Sequence, residues 1–158
     1  MLSIGSGVVP VRDLLMQQVR ADNYVDIQLE PNGDLKLSPG GDLSLVDDID
    51  ALEQAIRWRL LTQLGSWSLE PDCGSQLHLF AGRPNNEITA DELQAEIYRA
   101  LGYDNFLLVD EVDVYVAPLD ANRMTVIIMI NPGLVEDRAA FQFEIDLITG
   151  ELSGWQRI

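Results

Sequence analysis

Apolar positions change their period along this chain, and the changes outline its elements. Between Tyr24 and Glu30, Val25, Ile27 and Leu29 alternate with Asp26, Gln28 and Glu30, the pattern of a half-buried strand. Pro31-Asn-Gly-Asp34 and Pro39-Gly-Gly41 are turn signals on either side of Leu35 and Leu37, so a small antiparallel ribbon is expected there. The spacing then lengthens to three and four. Ile49, Leu52, Ile56, Leu60 and Leu64 fall on one stripe and predict a helix capped by Asp48 or Asp50. Glu53 stands at capping-box distance from Asp50, and Gly65 at the position of a left-handed C-terminal residue. Trp67 and Leu69 alternate with Ser66, Ser68 and Glu70, which predicts a short strand. A second helix is expected from a capping box of Thr89 and Glu92, with Ile88 and Leu93 as its hydrophobic staple. Leu93, Ile97, Ala100 and Leu101 form its inner stripe, and Gly102 ends it.

The last third is strand-rich. Val112, Val114 and Val116 alternate with Asp113 and Tyr115. Met124 to Ile130 is a continuous apolar run, expected of a strand covered on both faces. Phe141, Phe143, Ile145 and Leu147 alternate with polar residues, and Thr149-Gly150 turns into a short tail ending at Trp155. The expected class is α+β: a single domain with a three-stranded antiparallel meander, two main helices packed on it and an N-terminal β-ribbon. No internal repeat or linker divides the pattern. Residues 1–23 read as an arm, free, bound to a partner or packed on the chain itself, with two helical turns at Asp13 to Arg20. Residues 24–158 read as the domain proper.

Composition narrows the function. At 158 residues the chain suits one core without disulfides or metals. It has one cysteine, Cys73, and no apolar run near the ~18 residues that a membrane span needs. A reducing cytoplasm is the expected place of synthesis. The net charge of −16 repels phosphate backbones, so nucleic-acid binding is not expected. The same charge serves solubility, or meets a basic partner surface.

Catalytic constellations do not assemble. His78 is the only histidine and lies between Leu77 and Leu79 at strand-like spacing, so a triad would rest on it alone. Cys73 sits in a Pro-Asp-Cys-Gly turn. Asp110, Glu111 and Asp113 read first as a solvated face, second as a carboxylate or hard-metal site. Asp47, Asp48 and Asp50 lack the glycine and distal glutamate of a calcium loop. No cofactor, metal or catalytic residue is expected. What remains is surface. Arg57, Trp58, Arg59 and Leu61 lie off the inner stripe of the first helix, and Trp and Arg are favoured interface anchors. The alternative is an internal ion pair for each arginine and a second packing layer over Trp58.

The ordered set Gln54-Ala-Ile-Arg57, Leu60-Leu-Thr62, Gly65-Ser-Trp67 and Pro71-Asp-Cys-Gly74-Ser-x-Leu77 resembles the baseplate-wedge family of contractile phage tails. That family includes protein W, the gene-25-like wedge protein and a related type VI secretion baseplate component. The likeness runs from Asp42 to about Leu79. The Glu-Pro-Arg signature common after the second helix is absent, and Leu108-Val-Asp-Glu-Val112 stands there instead. The resemblance implies a structural, non-enzymatic subunit of a virion tail baseplate, assembled in the host bacterial cytoplasm and present in multiple copies. Its implied partners are other baseplate wedge proteins and tail sheath subunits, whose first ring it would template by sharing strands. Two alternatives accompany it: a lysozyme-like cell-wall hydrolase, and a subunit of a type VI secretion or other contractile injection system.

Overall fold

A computed structural model of the chain describes residues 3–4, 7–8, 25–30, 32, 34–131 and 139–158. The class is α+β, as the alternation and stripes imply. Packing divides the chain into two compact units, Met1–Leu52 and Glu53–Ile158, and the division falls inside the first helix. The expected helical turns at Asp13 to Arg20 lie outside the described residues.

In the first unit, strand β1 (Ser3–Ile4) pairs antiparallel with β2 (Gly7–Val8). Strand β3 (Val25–Ile27) pairs antiparallel with β4 (Leu45–Asp47). Between them, Leu29 bridges to Leu35 and Leu37 to Leu43. The ribbon is therefore three short segments, as its two turn signals imply. An eight-residue repeat underlies them, contrary to the expectation of none: Asp26-Ile-Gln-Leu-Glu-Pro-Asn-Gly33, Asp34-Leu-Lys-Leu-Ser-Pro-Gly-Gly41 and Asp42-Leu-Ser-Leu45 in the third copy. Equivalent backbone groups close a ring. Lys36 N donates to Gln28 O (3.0 Å), Ser44 N to Lys36 O (2.9 Å) and Gln28 N to Ser44 O (2.8 Å).

Helix α1 spans Asp48–Leu61, with Ala51, Leu52, Ile56 and Leu60 buried. It stops before Leu64. Its last i to i−4 bond runs from Thr62 N to Trp58 O at 2.8 Å, and the Thr62 hydroxyl shares that carbonyl at 2.6 Å. Gly65 does adopt a positive φ of 85°, but its N–H bonds Pro71 O and not a helix carbonyl. The predicted strand over Ser66–Glu70 does not form. Ser66 N bonds Gln63 O, Glu70 N bonds Trp67 O and Cys73 N bonds Glu70 O, so the segment is a string of turns with Trp67 and Leu69 exposed. Alternation over so few residues does not separate a strand from turns.

After a 3₁₀ turn at Leu77–Phe80, helix α2 spans Glu87–Gly102. Its N-cap is Asn86, whose side chain accepts from Thr89 N at 2.9 Å, so the Thr89 capping box is replaced. Thr89 is buried inside the first turn and Ile88, the expected staple, is exposed. The inner stripe of Leu93, Ile97, Ala100 and Leu101 is fully buried as expected. Gly102 closes the helix in ordinary right-handed geometry, and the left-handed residues are Asp104 and Asn105 in the following 3₁₀ turn, Tyr103–Asn105.

The sheet has four strands in the order β5 (Val112–Pro118), β6 (Arg123–Ile130), β7 (Ala139–Asp146) and β8 (Leu152–Arg157), all antiparallel. The fourth strand is the stretch expected to be a tail. Gly154 breaks its alternation at a bulge opposite β7, with a φ of +64°, which hid it from a period-two reading. Met124, Val126, Ile128 and Ile130 of β6 are buried on one face with Phe141, Phe143 and Ile145 of β7. The opposite face of β6 is half-buried, not fully covered: Thr125, Ile127 and Met129 alternate with the buried set.

Candidate functional site

The Pro71 to Leu77 motif does its work at the end of α1. A helix leaves its last carbonyls without intrahelical partners. Ser75 supplies two of them. Its N–H bonds Thr62 O at 2.8 Å, its hydroxyl bonds Leu60 O at 2.6 Å, and its carbonyl accepts from Leu64 N at 3.0 Å. Gly74 makes that approach feasible. Its φ is +128°, and a Cβ there would lie 2.6 Å from Thr62 O. The same segment reaches α2: Arg99 donates to Gly74 O at 2.9 Å, and Gln76 N donates to Glu96 at 2.7 Å. Arg99 also pairs with Glu96, which holds its guanidinium pKa above the ordinary value. The motif is a clasp between the two helices.

The four residues expected to dock a partner sit on α1 as placed by its spacing, but its arginines diverge. The Arg57 guanidinium lies 6.0 Å from the Trp155 ring centroid, and Arg59 lies 4.1 Å over Phe106 while donating to Tyr103 O at 3.2 Å. Aromatic faces hold these cations where ion pairs were the expected internal alternative. Trp58 is half-buried between them, and Leu61 is 42% exposed. Nearby, Tyr103 donates its phenol to Glu70 at 2.6 Å, and that carboxylate pushes its pKa up to about 12.

Glu53 is not part of a capping box. It accepts from the Trp155 indole N–H at 3.1 Å and from Arg157 Nε at 3.0 Å, fastening β8 to α1. Trp155 in turn stacks on Phe143, centroids 5.0 Å apart with an interplanar angle of 12°. These contacts were not read from the sequence. A tryptophan and an arginine two apart near a C-terminal turn were the signal available.

The two sheet edges differ. Register and the bonds Asn131 N to Glu111 O and Leu119 N to Arg123 O show that Val112, Val114, Val116 and Pro118 turn their backbone groups away from β6. At Val114 that edge is filled: Gln94 donates to its carbonyl at 2.6 Å, and its N–H donates to the Tyr98 hydroxyl at 3.0 Å. Pro118 has no N–H to offer. β8 pairs only with β7 among the described strands. The bonds of Ile158 N to Ala140 O and Asp146 N to Glu151 O place the outward backbone groups at Leu152, Trp155 and Arg157.

The remaining candidates are dispersed. His78 lies in the 3₁₀ turn, exposed, with Nε2 2.9 Å from the Gln63 amide nitrogen. Cys73 is a half-buried free thiol. Glu111 accepts from Leu108 N at 2.8 Å and so closes its own turn, while Asp110 contributes a backbone carbonyl to Asn131. Among the described residues, no three His, Cys, Asp or Glu side chains are grouped to hold a metal ion. Nor, among them, is any helix long and apolar enough to cross a membrane.

What the geometry assembles is a braced α+β scaffold in which α2 occupies the outer edge of β5 at Val114 and, among the described strands, β8 pairs only with β7. Residues 25–129, well over half of the chain, match the contractile injection system sheath initiators, and the chain belongs to that family. A solved structure of a Geobacter sulfurreducens protein described as a tail lysozyme has a similar fold, with a TM-score of 0.50 and 21% identity over 62% of this chain and 89% of that one. At that identity the likeness is one of fold alone. No curated protein matches.

Proposed function

We propose that this protein is a non-enzymatic baseplate subunit that joins wedge proteins and starts the first sheath ring by accepting a strand along β8. Membership of the sheath initiator family supports the role, and the single structural observation that carries the mechanism is the asymmetry of the sheet edges. An added strand forms backbone hydrogen bonds with little regard to side chains, so it needs an edge whose N–H and C=O groups point outward. β5 has that edge occupied at Val114 by α2, whereas among the described strands β8 pairs only with β7. Glu53 and the Trp155 stack hold β8 in register, which lowers the ordering cost for an incoming strand. The α1 face at Arg57, Trp58, Arg59 and Leu61 is assigned to wedge contacts, with Trp58 and Leu61 as the contact residues and the arginines as their support.

Two proline substitutions test the edge assignment. Leu152→Pro removes an outward N–H from β8 and no ladder bond, and Val116→Pro does the same on β5. With folding confirmed by circular dichroism, Leu152→Pro is expected to abolish co-assembly with purified sheath subunits, and Val116→Pro to retain it. The reverse result would refute the assignment. Cleavage of peptidoglycan by the isolated protein in a zymogram, lost on substitution of His78 or of Asp110 and Glu111, would favour the hydrolase reading instead.

A further inference from the structure

The octad repeat of the first unit places its side chains inside out. Gln28, Lys36 and Ser44 occupy equivalent positions in the hydrogen-bonded ring and are half-buried, and the Ser44 hydroxyl donates to the Gln28 side chain at 2.8 Å. The apolar residues flank the ring as cross-strand pairs: Leu29 with Leu35, Leu37 with Leu43, and Ile27 with Leu45. In each pair the bonds run between neighbouring residues, the arrangement that brings opposed side chains closest. Each side of the three-sided ring therefore carries one apolar pair. These pairs face outward, with Leu35, Leu37, Leu43 and Leu45 exposed by 57%, 58%, 47% and 63%. Four leucines that are each about half exposed or more, on one small β-element, are unusual for scattered surface residues.

Charge decides what covers them. Asp26, Glu30, Asp34 and Asp42 lie within the repeat against one cation, Lys36. Asp34 and Asp42 are exposed beside the leucines. An acidic rim repels a second copy of this strongly acidic chain, and it repels an anionic lipid surface or a nucleic acid. It attracts a protein surface in which an apolar patch is bordered by Lys and Arg. We infer that the octad ring, Ile27 to Leu45, is a second docking surface for such a basic-rimmed protein partner. It shares no residue with β8 and does not depend on strand addition.

The probes are the individually purified sheath subunit and wedge proteins encoded alongside this chain, tested against the full-length protein by calorimetry at low and high salt. One of them is expected to bind wild type with an affinity that falls as salt rises. Leu35→Ser with Leu37→Ser, Leu43→Ser and Leu45→Ser is expected to weaken that binding at least tenfold without lowering the unfolding midpoint. Asp34→Asn with Asp42→Asn, which leaves the leucines in place, is expected to flatten the salt dependence. Leu152→Pro is expected to leave this interaction unchanged, which separates it from the β8 proposal. Unchanged binding by the leucine variant overturns the inference, as does a collapse of its unfolding midpoint, which would show that the leucines hold the chain's own fold. Absence of binding by every probe, dimerisation of wild type through the leucines, or equal binding to phosphatidylglycerol vesicles would also overturn it.

Discussion

Substituting Gly74 by alanine tests whether the clasp at the end of α1 is set by backbone approach. Two costs arise at this position. The backbone holds a φ of +128°, which L-residues rarely adopt, worth roughly 1–3 kcal/mol. The new methyl would also sit 2.6 Å from Thr62 O and 3.2 Å from Gln63 C, and neither atom belongs to a side chain that could swing aside. Forcing a methyl into fixed backbone costs about 1–3 kcal/mol more. Gly65 is the internal control. It too has a positive φ, +85°, but a Cβ there meets nothing within 4 Å. Gly65→Ala therefore carries only the conformational term, about 1 kcal/mol after the unfolded chain's reduced freedom is counted. Gly74→Ala is expected to exceed it by about 2 kcal/mol, or roughly 4–8 °C in Tm for a chain of this length. Urea unfolding followed by circular dichroism, with unchanged m-values, gives the comparison directly. If the two variants agree within about 0.5 kcal/mol, Gly74 is not required by the approach of Thr62, and the clasp has been misread.

Other consequences are as direct. Ser75→Ala leaves the buried Leu60 carbonyl without its hydroxyl donor and is expected to cost about 1–3 kcal/mol in the same unfolding assay. Glu53→Ala frees Trp155 and Arg157 and is expected to raise amide exchange in β8 about fivefold, corresponding to about 1 kcal/mol for a partly exposed pair, with β6 unaffected. Tyr103, with its pKa at about 12 in the folded protein, is expected to ionise near that pH in an absorbance titration, and Glu70→Gln should bring it back toward 10. Because that folded value is raised, the contribution of the bond to stability is complete below about pH 10 and is lost as pH rises through about 12. Asp120 has the opposite sign. The Asn122 N–H, and then Arg123, hold its carboxyl below the ordinary range. Its contribution is present above about pH 4 and lost as pH falls through the lowered value, which carboxyl NMR can follow.

Long, regular patterns were legible in the sequence, and short devices were not. The α2 stripe and the alternation of β5 and β7 survive because seven or more residues repeat one relationship to a single core. Caps rest on one or two side chains with several equivalent candidates. Asn86 outcompeted Thr89 because Thr89 is needed inside the first turn, where it is buried. Glu53 offered a cap by spacing, but a tryptophan and an arginine a hundred residues later claimed its carboxylate. The octads were read as turns and alternation, although Asp-x-x-Leu-x-Pro-x-Gly recurs in the sequence at 26–33 and 34–41; what only pairing shows is that Gln28, Lys36 and Ser44 are equivalent. The α1 surface was half legible. Spacing correctly put Arg57 to Arg59 on the helix, but only tertiary structure shows each cation resting on an aromatic ring.

The region matched by the sheath initiator family ends at residue 129, inside β6. It takes in the octad ring, α1, the Gly74 clasp, α2 and β5, and it leaves out β7 and β8. Within it, several of the residues that carry the resemblance are occupied internally: Ser75 caps α1, Gly74 permits that cap, and Ile56 and Leu60 are core. Such a pattern specifies a scaffold, and a scaffold constrains what its partner-facing parts can be. Helix α2 can fill only the edge it reaches, which is β5, through Gln94 and Tyr98. On the strand-addition proposal, the accepting edge then falls on the far side of the sheet, at β8, through its position rather than its side chains. A backbone edge needs no shared motif to be used. The motif acts at a distance, by bracing the helices that close one side of the sheet and hold the other in place.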